Sequence, residues 1–458
     1  MKKRFNVKEM RMFKKRTIGL LLLLLLPLTA FSGGTEEVEE AKPVVLRIHV
    51  DENLQLRHAV AMFQVAHPNV TIEFIPAGEE EGLKTLAMIR ANDLPDAFRV
   101  ETGGATTRNL PIYIENDLLD PVPAWVKKDV GWENNCIEFC KEYYKDADTG
   151  EILALPVTYD LKPFFFYRVD ALKEVGLDPM NIPQEMNAWW EANKKLVKRD
   201  STGEVTRYAM RTFAFVIDYG LNFILADVEP KGDPSDLYSY MGGSGKDDPY
   251  RLTAPEFVKS MERYQRMCYG PDLIFDNAYA DRMEGLKSDF YAGVTAGTWF
   301  EQSLEPAGME YVVLPPPNAK GKKPKASATT NAYGVVNTSK NKELAWEFLE
   351  ILATDVDWWT WAWTPREVAG QTVFDRNLPS YHSVWDGLGK AGFDIDKYAY
   401  ALKDFQPVIE PKSDPKYNQV LLEVIQPAFT AINVEGEDVV EQLTSAEQKA
   451  NKILRSSD

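Results

Sequence analysis

The alternation of extended and helical segments between Val44 and Val100 constrains the fold more than any other feature of the chain. "VVLRIHV" reads as a strand, "LQLRHAVAMFQVAHP" as a helix halted before Pro68, and "VTIEFI" as a second strand. "EEGLKTLAMIRAND" has helical apolar spacing, and "PDAFRV" makes a third strand. Strands separated by helices call for right-handed crossovers and a mainly parallel sheet. A second α/β region opens near "ILALPVTYDLKPFFFYRVDALKEVGLDP", with "FFFY" as a buried strand. At 458 residues the chain outgrows one hydrophobic core, so two α/β domains are expected.

Further along, "PQEMNAWWEANKKLVKRD" is expected as a helix with Pro183 in its first turn, and "TAPEFVKSMERYQRMC" as one begun by a Thr253 and Glu256 capping box. "MEYVVLP" is a strand candidate, "PPNAKGKKPKASATTN" is turn-rich, and "AYGVVN" resumes as a strand. "KELAWEFLEIL" is an amphipathic helix. The final hundred residues are expected to be mostly helical, and no repeat of solenoid or propeller period occurs.

The amino terminus stands apart. "MKKRFNVKEMRMFKKR" carries eight Lys or Arg against one Glu, and the apolar run in "TIGLLLLLLLPLTA" is shorter than the ~20 residues of a membrane span. Small residues precede Gly33. Residues 1–32 are therefore expected to be a secretory signal peptide and 33–43 a flexible leader. No Cys follows the small-residue box, so a lipid anchor is not expected, and the destination is periplasmic or otherwise extracytoplasmic. The whole chain has a net charge of −17, and the chain without residues 1–32 has −24. So acidic a surface repels phosphate backbones and anionic headgroups, which argues against nucleic acid and membrane-surface partners.

Motifs for chemistry are missing. "MGGSGKDD" lacks the first Gly and the Ser or Thr of a phosphate loop, and there is no Gly-x-Ser-x-Gly elbow, His-Glu-x-x-His helix or calcium loop. Cys136 and Cys140 stand four apart in an expected helix, near the edge of disulfide geometry, and no His lies close in sequence to either. They are read as core residues. No catalytic constellation, cofactor or metal site is expected.

Aromatic residues are dense, with eleven Trp and twenty Tyr. "DWWTWAWTPRE" sets four Trp within six residues, too many for one helix face to bury in the same core. In "FYAGVTAGTWFEQ" a run of small residues ends at Trp299. Such a run lets the backbone pass close to a cleft, so that the indole becomes the surface a ligand meets.

Taken in order, "FQVAHPNVTIEF", "DLPDAFRV", "YIENDLLDPV", the long "EILALPVTYDLKPFFFYRVDALKEVGLDP" block, the small-residue strand ending in Gly-x-Trp, and "YGVVNTSKNKELAWEFLEIL" resemble the family 1 extracellular solute-binding proteins of ABC importers, in the maltose-binding-protein-like carbohydrate group. The blocks span most of residues 44 to 450. The resemblance implies a two-lobed α/β periplasmic-binding-protein fold of type II, with the ligand cleft between lobes joined by hinge crossings. Residues 44–158 with 308–354 would form one lobe, and 159–307 with 355–458 the other. It implies capture of a sugar or oligosaccharide by hinge closure, delivery to the permease subunits of an ABC importer, and a monomer that is not an enzyme.

The resemblance also implies site residues. Trp299 matches the family Trp that stacks on sugar. The loop after the first strand offers Asp51 and Glu52, the loop after "PDAFRV" Glu101 and Thr102, and the first crossing Tyr159 and Asp160. Asn331 stands where the family has a Gly, and Trp363 and Arg366 fall in a Pro and Arg segment that lines the cleft. The Arg directly follows the Pro here, one residue earlier than the family's spacing. The Trp that follows the Pro-Asp strand in such proteins is replaced near Val100, so the identity of the sugar does not transfer. Other readings are a binding protein for a glycerophosphodiester, polyamine or peptide, one that presents bound ligand to a membrane receptor, or a secreted polysaccharide-active enzyme.

Overall fold

The computed structural model describes residues 42–78, 81–101, 110–146, 149–213, 217–276, 281–319, 321–396, 398, 405–411 and 414–456. The expected signal peptide, nearly all of the leader, and Thr102 lie outside these. Among the described residues no helix is long and apolar enough to cross a membrane.

Two sheets organise the fold. β1 (Val44–His49), β2 (Val70–Ile75) and β3 (Ala97–Glu101) open the first sheet and run parallel. β4 (Leu155–Lys162) joins it, and β5 (Phe164–Arg168) starts the second sheet after a single residue. β6 (Lys198–Arg199) and β7 (Val205–Arg207) make a separate small pair. β8 (Met210–Arg211), β9 (Phe275–Asp276), β10 (Gly293–Ala296) and β11 (Tyr311–Leu314) complete the second sheet, in the order β11-β5-β10-β8-β9. β12 (Lys325–Val335) returns to the first sheet. β13 (Arg366–Val368) and β14 (Gln371–Val373) form a hairpin, and β15 (Leu378–Pro379) and β16 (Gln406–Ile409) add to the first sheet, ordered β15-β4-β12-β3-β1-β2 with β16 also on β12.

Several expectations change. Both sheets are mixed rather than mainly parallel: β12 runs antiparallel to β3 and β4, and β5 antiparallel to β10 and β11. "KASATT", read as part of a turn-rich stretch, is the first half of the 11-residue β12. Its small residues are needed because the strand is central: Ala326, Ser327 and Ala328 are fully buried between paired neighbours. β11 was expected with the first lobe, yet Val313 pairs with Phe166 in the second sheet. The segment after 355 was expected with the second lobe. Instead Leu378 pairs with Tyr159, and the Trp358 indole donates to the Gln55 carbonyl at 3.0 Å, so residues 356–379 pack with the first sheet, while the helices from 415 onward pack about the second as expected.

Helix starts also differ. The helix Pro255–Cys268 is capped at Ala254, because Thr253 is engaged elsewhere: its N–H and hydroxyl both donate to Glu447 Oε2, at 2.7 and 2.8 Å. The helix Met186–Lys194 takes its cap from Glu185, whose carboxylate accepts from Ala188 N, leaving Pro183 outside. Cys136, Cys140 and Cys268 are buried and unbridged, and Cys136 ends one short helix while Cys140 lies in the next.

Two buried clusters hold the fold together. One, around the first sheet, includes Trp346, Trp359, Trp363 and Tyr159. The other packs Phe165, Trp189, Phe223, Tyr264 and the helix Val439–Arg455 about the second sheet. Aromatic edges meet faces repeatedly, as where Phe165 meets Trp189 at 5.4 Å and 83°.

Candidate ligand cleft

A polar face on the first sheet faces a tryptophan that follows a strand of the second. Along β4 burial alternates residue by residue: Val157, Tyr159 and Leu161 are buried, whereas Thr158, Asp160 and Lys162 are only half-buried. The period of two follows from the strand pleat. The register extends this face across the sheet: Thr329 lies opposite Asp160, Asn331 opposite both Thr158 and Glu101, and Tyr333 opposite Arg99. Asn331 Nδ2 donates to Thr158 Oγ1 at 3.3 Å, and Lys162 Nζ stands 3.8 Å from Asp160 Oδ2.

Across from this face, β10 ends at Ala296 and Gly297 leads into the short turn Thr298–Phe300. A Cβ added to Gly297 would overlap the Asp160 Oδ2 and stand 2.5 Å from the Trp299 Nε1. The backbone there is extended, so the requirement for glycine is one of space. Trp299 curls back over this bare position, half-buried, with its ring edge-on to Phe300 at 5.9 Å.

Two adjoining cavities fill the space between. One, of 240 Å³, is bounded by Asp160, Lys162, Trp299, Gln302 and Thr329; the other, of 150 Å³, by Asp51, Asn53, Thr158, Tyr333 and Trp358. Arg99, Asn331 and Asn377 border both. Together they reach the lower end of the roughly 300–1,000 Å³ of small-molecule sites. Asp375 also borders the smaller cavity, and burial raises its carboxyl from the ordinary aspartate value.

The cleft thus gathers Trp299, Asp160, Asn331 and Asp51. Asp51 is held in place by the Gly78 N–H, which donates to both carboxylate oxygens at 3.1 and 3.2 Å. The backbone of Glu101 pairs beside Asn331 at the end of β3. Tyr159 borders the cleft, but its ring lies on the other side of β4, edge-on to Phe139 at 5.4 Å, because neighbours on a strand cannot face the same way. Glu52 is turned to the surface in an ion pair with Arg57 at 2.8 Å.

Trp363 and Arg366 are not at the cleft. Trp363 is 1% exposed, packed among Trp385, Phe393 and Tyr398, and its indole N–H donates to the Asn377 carbonyl at 3.2 Å. Arg366 stacks on Trp361, with Cζ 3.5 Å from the ring centroid, and His58 stacks on the same ring at 3.9 Å. The sequence reading missed Arg99, Lys162, Gln302, Thr329, Asn377 and Trp358. The i+2 spacing from Asp160 would have pointed to Lys162. Gln302 follows Trp299 by three residues on the next short helix, and the rest depend on cross-strand register or distant segments.

Residues 50–357 match the model of a family described as bacterial extracellular solute-binding protein. Among solved structures, the chain is similar to an ABC substrate-binding protein from Listeria monocytogenes in complex with cycloalternan, at 13% identity and TM-score 0.66, over 90% of this chain and 99% of that one. It is likewise similar to the sugar-binding protein MalE from Xanthomonas citri (17% identity, TM-score 0.64, 90% and 97% covered). A third is UgpB from Mycobacterium tuberculosis in complex with glycerophosphocholine (16% identity, TM-score 0.65, 90% and 98% covered). No curated protein sequence matches. At these identities the structural likeness shows the fold alone, which is the two-lobed α/β periplasmic-binding-protein fold.

Proposed function

Since this chain belongs to the bacterial extracellular solute-binding protein family, we propose that it captures a saccharide in the cleft between its sheets and delivers it to the permease of an ABC importer. The observation that carries this reading is the pairing of the half-buried Trp299 with a polar strand face opposite. A sugar ring offers apolar C–H patches to an aromatic face, while its hydroxyls need donors and acceptors together at the rim. Asn331, Gln302 and Asn377 supply amides that do both, Thr329 a hydroxyl, and Asp160 a carboxylate acceptor.

The reading includes no turnover, and among the described residues no group of His, Cys, Asp or Glu is arranged to hold a metal. We take the lobes to be centred on the two sheets, with the changeovers at Pro163 and between Leu314 and Lys325 serving as hinge strands. Export through residues 1–32, an extracytoplasmic location and a monomeric state belong to the same proposal.

Titration calorimetry against neutral and acidic oligosaccharides, glycerol phosphodiesters, polyamines and short peptides tests it. The proposal expects a saccharide to bind and to be recovered unchanged. Binding confined to polyamines or peptides, or release of new reducing ends from the bound sugar, would overturn it.

A further inference from the structure

Beside Trp299, at the carboxyl ends of the parallel strands β8, β9 and β10, two arginines converge. Arg211 ends β8 and is 3% exposed; Arg282 opens the helix Arg282–Lys287 after β9 and is half-buried. Both guanidinium groups stack on one ring: Cζ of Arg211 lies 3.6 Å and Cζ of Arg282 4.5 Å from the centroid of Phe213. Arg282 also lies 5.5 Å from the Trp299 ring, which places it next to the cleft wall.

These charges are not neutralised by hydrogen-bonded carboxylates. Among the described residues, Nε and Nη1 of Arg211 and Nε and Nη2 of Arg282 are buried with no hydrogen-bond acceptor, and Thr298 Oγ1, at the start of the Trp299 turn, is also unpartnered. Of the nearby carboxylates, Asp281 caps the Glu284 N–H at 2.9 Å, and Asp276 accepts from the Tyr291 hydroxyl at 2.5 Å while its charge offsets that of Arg211 only in part. Burying two like charges together with their donors unfilled is costly. The effect is visible on Arg211, which burial and then the charge of Arg282 bring down to about 10. Core packing would be better served by apolar side chains. Carboxyl ends of parallel strands are also where open α/β sheets take their ligands.

We propose that Arg211 and Arg282 form a seat for an oxyanion group of the ligand, a carboxylate or a sulfate or phosphate ester, held while Trp299 carries the adjoining ring. Combined with the saccharide reading above, on which this part rests, the ligand is an acidic sugar rather than a neutral one. A guanidinium pair offers the forked donors that bidentate carboxylate or phosphate recognition uses.

The test uses the full chain and calorimetric titration with trigalacturonate, maltotriose, inorganic sulfate and glycerol phosphate. Arg282→Gln, at the partly exposed position, serves as the working variant; Arg211→Gln is added if its melting curve stays cooperative. The expected result is tighter binding of trigalacturonate than of maltotriose, with at least a tenfold loss in Arg282→Gln confined to the acidic probe. If maltotriose binds at least as tightly, in wild type and Arg282→Gln alike, the oxyanion seat is overturned while the saccharide reading stands. If sulfate or glycerol phosphate binds in an Arg282-dependent way and neither saccharide does, the seat stands and the saccharide reading falls. Absence of binding by all four probes overturns both.

Discussion

The Asp160 carboxylate of the first sheet lies directly over the bare Cα of Gly297, the residue that follows β10 of the second. That contact ties the end of β10 to the polar face of β4 and sets the Trp299 indole against the same bare position. A methyl group at 297 would meet both Oδ2 of Asp160 and the indole, and overpacking of this kind commonly costs ~1–3 kcal/mol. Gly297→Ala should therefore lower the melting temperature and weaken ligand binding together. Adding Asp160→Ala should restore part of the stability but not the affinity, and a double-mutant cycle on melting curves measures that coupling. Additive losses would show that the two residues do not press on one another.

Trp299 itself separates binding from folding. Its ring is half-buried beside the cleft and packs against the edge of the first buried cluster rather than within it, so Trp299→Ala should leave the melting temperature within a few degrees of wild type. Affinity for the cognate saccharide should fall at least tenfold, since each ~1.4 kcal/mol is a decade and an aromatic anchor is commonly worth that much. Trp299→Phe should keep part of the affinity. Calorimetry with melts alongside decides the matter: a large thermal loss with unchanged affinity would make Trp299 a core residue.

The legibility of this chain in its sequence divides along physical lines. The elements that bury one face at a regular period, such as the helix Leu54–Ala66 and the strand "FFFY", were readable because local spacing decides them. So was the close backbone approach at Gly297, which the run of small residues before Trp299 marks. β12 was only half readable: Ala, Ser and Thr carry little strand signal of their own, and the segment is a strand because it is paired on both sides. Arg99, Thr329 and Arg211 were invisible for a related reason, since what makes each a cleft or near-cleft residue is the neighbour that register and chain crossing bring to it. The four Trp of "DWWTWAWTPRE" show the same limit from the other side. Three of them, Trp358, Trp359 and Trp363, are buried in the same cluster after all, and Trp361 faces elsewhere, where it meets His58 and Arg366.

Two titratable groups, the buried His49 and the half-buried Glu350, give stability opposing slopes with pH. Burial, then the charge of Lys84, lowers His49 from 6.5 to about 4, so the unfolded chain binds the extra proton between those values and stability falls as pH drops through that window. Burial, then the charges of Asp129 and Glu347, raises Glu350 from 4.5 to about 7, so the folded chain binds the extra proton and stability falls as pH rises through that one. Where the windows overlap the slopes offset each other. Glu350→Gln removes one of them: its melting temperature should climb between pH 4.5 and 6.5 more steeply than that of wild type, and should exceed wild type at pH 8. Parallel melting curves for the two proteins across pH 4.5 to 8 would count against the assignment of Glu350.

Tyr159 and Asp160 are adjacent in sequence and both were candidates for the ligand, yet the pleat of β4 allows only one of them to face it. Tyr159 is 1% exposed, and among the described residues its hydroxyl has no hydrogen-bond partner. A buried hydroxyl without a partner contributes a desolvation penalty and no compensating bond. Tyr159→Phe should then leave affinity within twofold of wild type and hold or slightly raise the melting temperature. Asp160→Asn keeps the size of the side chain and removes its charge at the cleft, so it should weaken saccharide binding at least severalfold while the fold persists. If Tyr159→Phe instead costs affinity and Asp160→Asn does not, β4 presents its opposite face to the ligand in solution, and the cleft built here from Thr158, Asp160 and Lys162 is the wrong side of the sheet.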